Sequence, residues 1–310
     1  MKIAVIAAAA AGIMIGISLY WHSNVSIQVA SKTVYIEDLP EAFEGFTILQ
    51  ITDLHEQTFG ARQEKLLDVI NKLNYDMPVF TGDLLDHEFS TNTQPVYDMI
   101  DGMNNLDDAL FVGGNTDPDA FLPVYERDGT KNMLVEGLAD RGVRLLDSVY
   151  TIEREGETII AADFDMLLRN GTSNRTGPQS DYVAALDQKT SEAPLNESVV
   201  LSIYHYPLPD IRLDMYEEDP SIQLPQIDLH IAGHYHGGEI RVPFYGALLV
   251  PEAYYSRFGL FPPQDRVKGL WEYNNIQQYV STGLGSSGFL NTRLFNPPEI
   301  NLITLQKEHD

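Results

Sequence analysis

The sequence predicts an α/β fold of stacked sheets and helices, preceded by an apolar N-terminal helix. Short apolar runs rich in β-branched residues alternate with stretches whose apolar residues recur at helical spacing. Several of these runs end at a glycine, an aspartate or a histidine. The chain has 310 residues, 44% of them hydrophobic, which is enough for one large domain with its own core.

The first element is an uncharged, largely apolar run at residues 3–20, which follows Lys2. Its length of roughly 18 residues just reaches that of a transmembrane helix. The aromatic residues Tyr20 and Trp21 that end it suit a membrane interface. We therefore expect residues 1–24 to be an uncleaved single-pass anchor in the cell membrane and residues 25–310 to form an extracytoplasmic domain. A signal peptide cleaved near Ala30 is the alternative.

The next segments have the β-α-β-α-β order that is typical of helices covering parallel strands. Strands are predicted at residues 25–29, 33–36, 46–51, 77–81 and 109–112, and helices at residues 63–73 and 95–106. This order predicts that the ends of the last three strands meet at one edge of a sheet.

The second half continues the pattern around a polar insertion. A helix is predicted at residues 121–139, and strands at residues 144–153, 158–163, 199–204, 227–232, 239–242, 277–281 and 300–305. Residues 167–197 are rich in Gly, Ser, Thr and Asn and predict a loop or cap with a helix at residues 181–188. Residues 216–219 are expected to form a solvated acidic loop. The aromatic stretch at residues 254–261 fits core better than a surface that meets lipid.

Charge and composition exclude several classes of function. The formal net charge is −25, and no cluster of Lys or Arg offers a site for nucleic acid. Cysteine is absent, which excludes disulfide scaffolds, thiol nucleophiles and Cys-ligated zinc. A phosphorylated substrate would have to be attracted locally by metal cations.

Four segments that follow predicted strands carry the groups such cations need. They are Asp53-Leu54-His55, Gly82-Asp83, Gly114-Asn115, and His205 with His234-Tyr235-His236. Seven oxygen and nitrogen donors of this kind suit two divalent ions, with Asp83 as the natural bridge between them. Strand-like alternation is expected to point Asp53 and His55 to one side, and His234 and His236 likewise.

The order of these motifs resembles the calcineurin-like metallophosphoesterase superfamily, whose pattern is Asp-x-His, Gly-Asp, Gly-Asn-His-Asp/Glu, His and Gly-His-x-His. The likeness spans about residues 47–242, and the tail at residues 281–283 and 293–300 is similar to the membrane-associated YkuE-type branch. The resemblance implies a four-layer α/β/β/α sandwich of two mixed sheets flanked by helices. It also implies two divalent ions, whether Mn, Zn or Fe, in one site.

The resemblance assigns ligands and a reaction. It implies Asp53, His55, Asp83 and His236 around one metal, and Asp83, Asn115, His205 and His234 around the other. The expected reaction is in-line attack of a metal-bridging hydroxide on a phosphodiester, pyrophosphate or phosphomonoester of an envelope, lipid or nucleotide-sugar substrate. The expected catalytic residues are Asp83, Asn115, Thr116 and Asp117.

One position departs from the family pattern, because Thr116 stands where the family has a histidine that assists the leaving group. Threonine cannot act as a general acid near neutral pH. The chain could hydrolyse substrates with good leaving groups, use Asp117 or His87 instead, or be a metal-binding scaffold or sensor with little activity. We favour the first hypothesis. Elsewhere, Arg293 is expected to pair with a carboxylate rather than a substrate phosphate, and His230 to be structural.

Overall fold

In the described part of the chain, fourteen strands form two six-stranded sheets and one small hairpin. The computed structural model describes residue 14 and residues 16–118, 132–169, 181–222, 224–286 and 292–308. The strands are β1 (Gln28–Ile36), β2 (Thr47–Ile51), β3 (Met77–Phe80), β4 (Leu110–Phe111), β5 (Arg144–Leu145), β6 (Val149–Arg154), β7 (Glu157–Asp163), β8 (Val200–Ile203), β9 (Leu229–Ala232), β10 (Arg241–Val242), β11 (Gly246–Ala247), β12 (Gly269–Tyr273), β13 (Ile276–Val280) and β14 (Glu299–Lys307).

Both large sheets are mixed. The first has the order β1-β14-β2-β3-β4-β5, in which β2 to β5 are parallel and β14 runs antiparallel to β2. The second has the order β12-β13-β9-β8-β7-β6, with β7, β8, β9 and β13 parallel and one antiparallel strand at each edge. The carboxyl ends of the central parallel strands therefore lie at one edge of each sheet.

Helices cover the outer faces of the sheets. They are α1 (Glu64–Ile70), α2 (Gln94–Gly102), α3 (Met133–Ala139), α4 (Phe164–Arg169), α5 (Asp181–Glu192) and α6 (Asp210–Glu218). One core cluster combines buried side chains of both sheets, such as Ile48 and Leu201. A second joins the first sheet to α1, α2 and α3, and a third joins the second sheet to α4 and α6. These three cores give the four-layer sandwich that was predicted.

Several boundaries differ from the sequence prediction for physical reasons. β1 is one nine-residue strand, because it pairs along its whole length with β14. The run at residues 144–153 is divided between β5 and β6, which belong to different sheets. The helices α4 and α6 were not predicted, and residues 216–218 end α6 instead of forming a loop. Of the predicted strand at residues 239–242, only Arg241–Val242 is extended, paired with β11.

Three other predicted segments fall partly outside the described residues. The structure describes only residues 132–139 of the helix predicted at residues 121–139, and Met133–Ala139 form α3. In the predicted cap, α5 covers the expected helix, and residues 170–180 lie outside the described part. Most of the predicted anchor also lies outside it, while residues 16–25 are helical. Within the described ranges, no helix has both the length and the apolar character needed to cross a bilayer.

Candidate metal centre

The seven predicted donors lie together where strands of the two sheets end. Asp53 and His55 follow β2, Asp83 follows β3, and Asn115 follows β4, all in the first sheet. The second sheet supplies the remaining three, His205 after β8 and His234 and His236 after β9. The fold therefore joins donors that are up to nearly two hundred residues apart in the sequence.

One group of donors surrounds the His55 and His236 rings. His55 Nε2 lies 3.6 Å from Asp83 Oδ2 and 3.3 Å from His236 Nε2. His236 Nε2 lies 3.4 Å from Asp53 Oδ1. The four side chains are buried, and each offers one ligand atom to a common point, so the group could hold a metal ion.

A second group surrounds His205 and shares Asp83 with the first. His205 Nε2 lies 3.3 Å from Asp83 Oδ2, 3.0 Å from His234 Nδ1 and 3.2 Å from Asn115 Oδ1. Asp83, His205 and His234 could together hold a second ion, and the Asn115 amide oxygen is within reach of it. A carboxylate shared between two groups is the arrangement that a pair of ions requires.

The second ring nitrogens of two histidines are held by the backbone. His205 Nδ1 lies 2.8 Å from the Thr81 carbonyl oxygen, and His234 Nε2 lies 3.2 Å from that of Pro251. A ring that donates to such a carbonyl presents its other nitrogen as a lone pair. His205 Nε2 and His234 Nδ1 would then face each other as acceptors, which suits a cation between them.

Turns, rather than strand alternation, position the side chains of the Asp53–His55 and His234–His236 pairs. Asp53, His55, Asp83, His234 and His236 all have left-handed backbone angles, with φ of 52°, 46°, 51°, 66° and 49°. The prediction that strand-like alternation points the two side chains of each pair to one side is therefore wrong. His234 and His236 go to different donor groups because a short 3-10 turn follows Tyr235. Left-handed non-glycine residues are strained, and such strain is concentrated at functional sites.

Glycines allow the loops after β3 and β4 to touch. Gly82 has φ of +87°, and a Cβ there would meet Gly114 N at 2.5 Å. A Cβ on Gly114 would meet Asp83 Oδ1 at 2.1 Å. Only hydrogen fits at these two positions, so that Asp83 can lie against the loop that carries Asn115.

Burial and neighbouring charges shift the pKa values of two carboxyl groups in the site. Burial, reinforced by repulsion from Asp83, raises the pKa of Asp53 to about 7 despite the opposing effect of His205. For Asp83, burial also raises the pKa, but His205, His55 and the Thr116 amide lower it more, so its carboxyl remains ionised. Two buried carboxylates this close need positive charge to be stable. Divalent ions bound by oxygen and imidazole ligands fit this site.

Thr116 and Asp117 face the backbone of the neighbouring loop. Thr116 N donates to Asp83 Oδ1 at 2.8 Å, and its hydroxyl donates to the Leu85 carbonyl at 2.7 Å. Asp117 is buried, and its carboxylate accepts hydrogen bonds from the amides of Leu84, Leu85 and Gly114. In this geometry, Asp117 orients the loops of Asp83 and Asn115.

Arg293 and Asn296 support the His236 turn through hydrogen bonds, a role that the sequence did not suggest. The buried guanidinium of Arg293 donates to the carbonyls of Thr282, Gly285 and Asn296 at 2.6–2.8 Å. Asn296 Nδ2 donates to the His236 carbonyl at 2.6 Å. The prediction that Arg293 pairs with a carboxylate is wrong, because its guanidinium donates to backbone carbonyls instead. The only sequence clue was an arginine within a tail of turn-forming residues.

His230 is structural, as predicted. It is buried in β9, and its ring nitrogens lie 2.9 Å from Ser202 Oγ and 3.0 Å from the Tyr206 carbonyl oxygen.

A buried amide on the other sheet has a similar role, since Gln50 Nε2 donates to Thr81 Oγ1 and to the Ala232 carbonyl. Gln50 thereby ties β2 to the end of β9, next to the candidate metal centre.

Comparison with known proteins identifies the family. A family model named calcineurin-like phosphoesterase matches residues 46–238, a range that contains all seven donors. The chain belongs to this family. The predicted resemblance is confirmed, and so is the prediction that the protein is a metallophosphoesterase, a hydrolase of phosphoric esters.

Three relatives carry related names. Metallophosphoesterase YkuE of Bacillus subtilis (strain 168) is 25% identical over 289 residues, which cover 90% of this chain and 86% of YkuE. Metallophosphoesterase YkoQ of the same organism is 25% identical over 293 residues, which cover 91% and 92%. A transmembrane protein with metallophosphoesterase domain from Danio rerio is 26% identical over 223 residues, 69% of this chain and 45% of that protein. The likeness to YkuE agrees with the predicted branch.

Proposed function

We propose that this metallophosphoesterase holds two divalent ions and cleaves a phosphodiester, pyrophosphate or phosphomonoester bond. The observation that carries the proposal is the pair of donor groups that share the Asp83 carboxylate. Asp53, His55, Asp83 and His236 would hold one ion, and Asp83, Asn115, His205 and His234 the other. Mn, Zn or Fe would suit these ligands.

The bound ions would polarise the phosphoryl oxygens and lower the pKa of water, so that a nucleophile is present near neutral pH. The protein's own residues orient this chemistry. The carbonyls of Thr81 and Pro251 fix the His205 and His234 rings, and Asp117 and the Thr116 amide fix the loop that carries Asp83.

Thr116 limits the choice of substrate. Its hydroxyl donates to the Leu85 carbonyl, so this side chain offers no proton to a leaving group. Lack of general acid assistance typically costs ~10²–10⁴-fold in rate. We therefore infer a substrate whose leaving group departs without a proton, such as a pyrophosphate linkage or an activated ester, in an envelope lipid or a nucleotide sugar.

The first test is metal-dependent hydrolysis by the full chain. With Mn²⁺, we expect turnover of bis(p-nitrophenyl) phosphate or p-nitrophenyl phosphate that is lost after chelation. Asp83→Asn should lose both bound metals, and Asn115→Ala should lose activity, whereas Asn104→Ala, at an exposed loop residue, serves as the matched control. Two bound metals without turnover of either substrate would contradict the enzymatic proposal.

A non-catalytic metal-binding scaffold or sensor is the second candidate, and the engaged Thr116 hydroxyl favours it. Thr116→His separates the two. A large gain in turnover of an unactivated diester would indicate a working site that lacks only an acid. Unchanged turnover in a variant that still binds two metals would favour the scaffold.

We also propose that the N-terminal segment anchors the protein in the cell membrane, with the catalytic domain on the extracytoplasmic side. The apolar run at residues 3–20 and the helical residues 16–25 support this, as does the printed name of the Danio rerio relative. Extraction with alkaline carbonate tests it, since an anchored protein stays in the membrane pellet. Protease accessibility in intact spheroplasts tests the side.

A further inference from the structure

An exposed aromatic surface lies beside the candidate metal centre. It consists of Val242, Phe244, Tyr245, Leu249, Phe258, Leu260 and Phe261. Phe258 is 80% exposed and Leu249 is 53% exposed. The expectation that residues 254–261 form core is therefore wrong for most of them, although Tyr255 packs against the core. So many large apolar side chains in one exposed region mark an interaction site.

Backbone pairing joins the parts of this surface into one unit. The β10–β11 hairpin carries Phe244 and Tyr245 at its turn. Leu249 forms a β-bridge with Leu260, and the rings of Tyr245 and Phe261 pack edge to face with 5.8 Å between their centroids. The aromatic surface is thus a connected feature rather than scattered exposed residues.

The aromatic surface is also connected to the N-terminal helix. Asn24, near the end of that helix, accepts a hydrogen bond from Arg293 N at 2.7 Å and donates to the Arg293 carbonyl at 2.9 Å. The next residue, Leu294, exchanges backbone hydrogen bonds with the β10 segment through Glu239 and Arg241. The segment that we propose to enter the membrane is therefore linked to the aromatic surface by two sets of hydrogen bonds. Asn24 bonds to Arg293, and the next residue, Leu294, bonds to the β10 segment.

Charge is sparse in this part of a very acidic chain. Residues 241–261 contain two arginines and one acidic residue, Glu252, although the whole chain has a net charge of −25. The Glu252 carboxylate accepts hydrogen bonds from Tyr235 Oη and from the Tyr254 amide. Contact with hydrocarbon would therefore desolvate few uncompensated charges.

A cavity of about 290 Å³ is lined by residues of both the aromatic surface and the candidate centre. It is lined by Tyr235, His236, Glu239, Leu248, Leu249 and Pro251. Leu249 belongs to the aromatic surface, His236 belongs to the first donor group, and the Pro251 carbonyl contacts the His234 ring. An apolar chain that enters beside Leu249 would bring an attached phosphate towards the donors.

We propose that the aromatic surface rests on a phospholipid bilayer and that the enzyme acts on pyrophosphate-linked lipids whose hydrocarbon part enters this cavity. The substrate part of this inference rests on the proposed function. The bilayer is favoured over a second copy of the chain because the N-terminal segment, which we propose to be the membrane anchor, is bonded to the aromatic surface through residues 292–295.

Fluorescence quenching tests the docking without any need for activity. The full chain carrying Phe258→Trp is reconstituted in phosphatidylcholine vesicles with brominated acyl chains, and the signal of the two native tryptophans is subtracted. We expect the added tryptophan to be quenched. Met133→Trp, at an exposed apolar position at the start of α3, is the matched control and should not be quenched. Equal quenching in both, or in neither, would overturn the docking proposal.

Kinetics test the substrate class separately. We expect Phe258→Glu to lower the ratio of diacylglycerol pyrophosphate hydrolysis in vesicles to soluble bis(p-nitrophenyl) phosphate hydrolysis at least tenfold, and Met133→Glu to leave this ratio unchanged. Turnover of the soluble diester alone would overturn the lipid substrate and leave the phosphoesterase proposal standing. Failure of both substrates would overturn the proposed function and the lipid substrate with it, while quenching still decides the docking. Absence of quenching together with a stable dimer would assign the aromatic surface to a second copy.

Discussion

At the scale of single residues, Gly114 has no room for a side chain, because a Cβ there would meet Asp83 Oδ1 at 2.1 Å. We predict that Gly114→Ala lowers metal affinity and turnover at least tenfold, because the new methyl group would overlap the carboxylate shared by both donor groups. Metal content after dialysis and the rate on the soluble diester measure the effect. Gly113→Ala is the control, since a Cβ there meets nothing within 4 Å. Equal metal content in the two variants would contradict the prediction.

His230 makes stability depend on pH away from the donor groups. Burial lowers its pKa to about 4, although the hydrogen bond to the Tyr206 carbonyl acts in the opposite direction. The unfolded chain binds a proton below about pH 6.5, and the folded chain does so only below about 4, so stability is lost as the pH falls between these values. From pH 7 to pH 5 we expect a loss of about 2 kcal/mol from this residue.

Urea unfolding at the two pH values, compared between wild type and His230→Gln, isolates this contribution. The other buried histidines titrate in both proteins and cancel in the comparison. The variant should be less stable at pH 7 but should lose about 2 kcal/mol less on acidification. An equal loss in both proteins would show that His230 does not resist protonation.

At the scale of elements, residues 292–296, which precede β14, act as a brace for the His236 turn. Arg293→Lys should lower the free energy of unfolding by about 3 kcal/mol, because an ammonium cannot reach all three carbonyls and leaves buried groups unpaired. Chemical denaturation measures this loss, with Arg62→Lys as the control since its side chain is 80% exposed. A change no larger than that of the control would contradict the role of Arg293 as a brace.

The elements also show what local sequence pattern can predict. β2, β3, β8 and β9 are short, mostly apolar runs, each followed by a donor within three residues, so both the strands and the donor positions could be predicted. The division of residues 144–153 between β5 and β6 could not be predicted, because the sheet that a strand joins depends on partners far away in the sequence. The same holds for Arg293, whose partners are backbone carbonyls. Exposure of Phe258 and Phe261 was missed because composition does not show which apolar residues lack a neighbour.

At the scale of the whole molecule, each donor group takes ligands from both sheets. Bound metal should therefore oppose separation of the sheets. We predict that Mn²⁺ at 100 times its dissociation constant raises the free energy of unfolding by about 2.7 kcal/mol relative to chelated protein. Thermal unfolding across a range of Mn²⁺ concentrations measures it, and Asp83→Asn should abolish most of the gain. An unfolding midpoint that does not depend on Mn²⁺ would contradict binding to the folded state.

The pairing of β1 with β14 has a consequence for how the chain matures. Residues 28–36 lie beside residues 299–307, and β14 separates β1 from β2. Among the described strands, the first to be synthesised therefore pairs with the last, which gives the sheet a high contact order and slow closure. During synthesis, β1 stays unpaired until residues 299–307 have emerged, which leaves a template for aggregation. A stop codon before residue 299 would thus remove an interior strand of the first sheet and leave β1 without its partner.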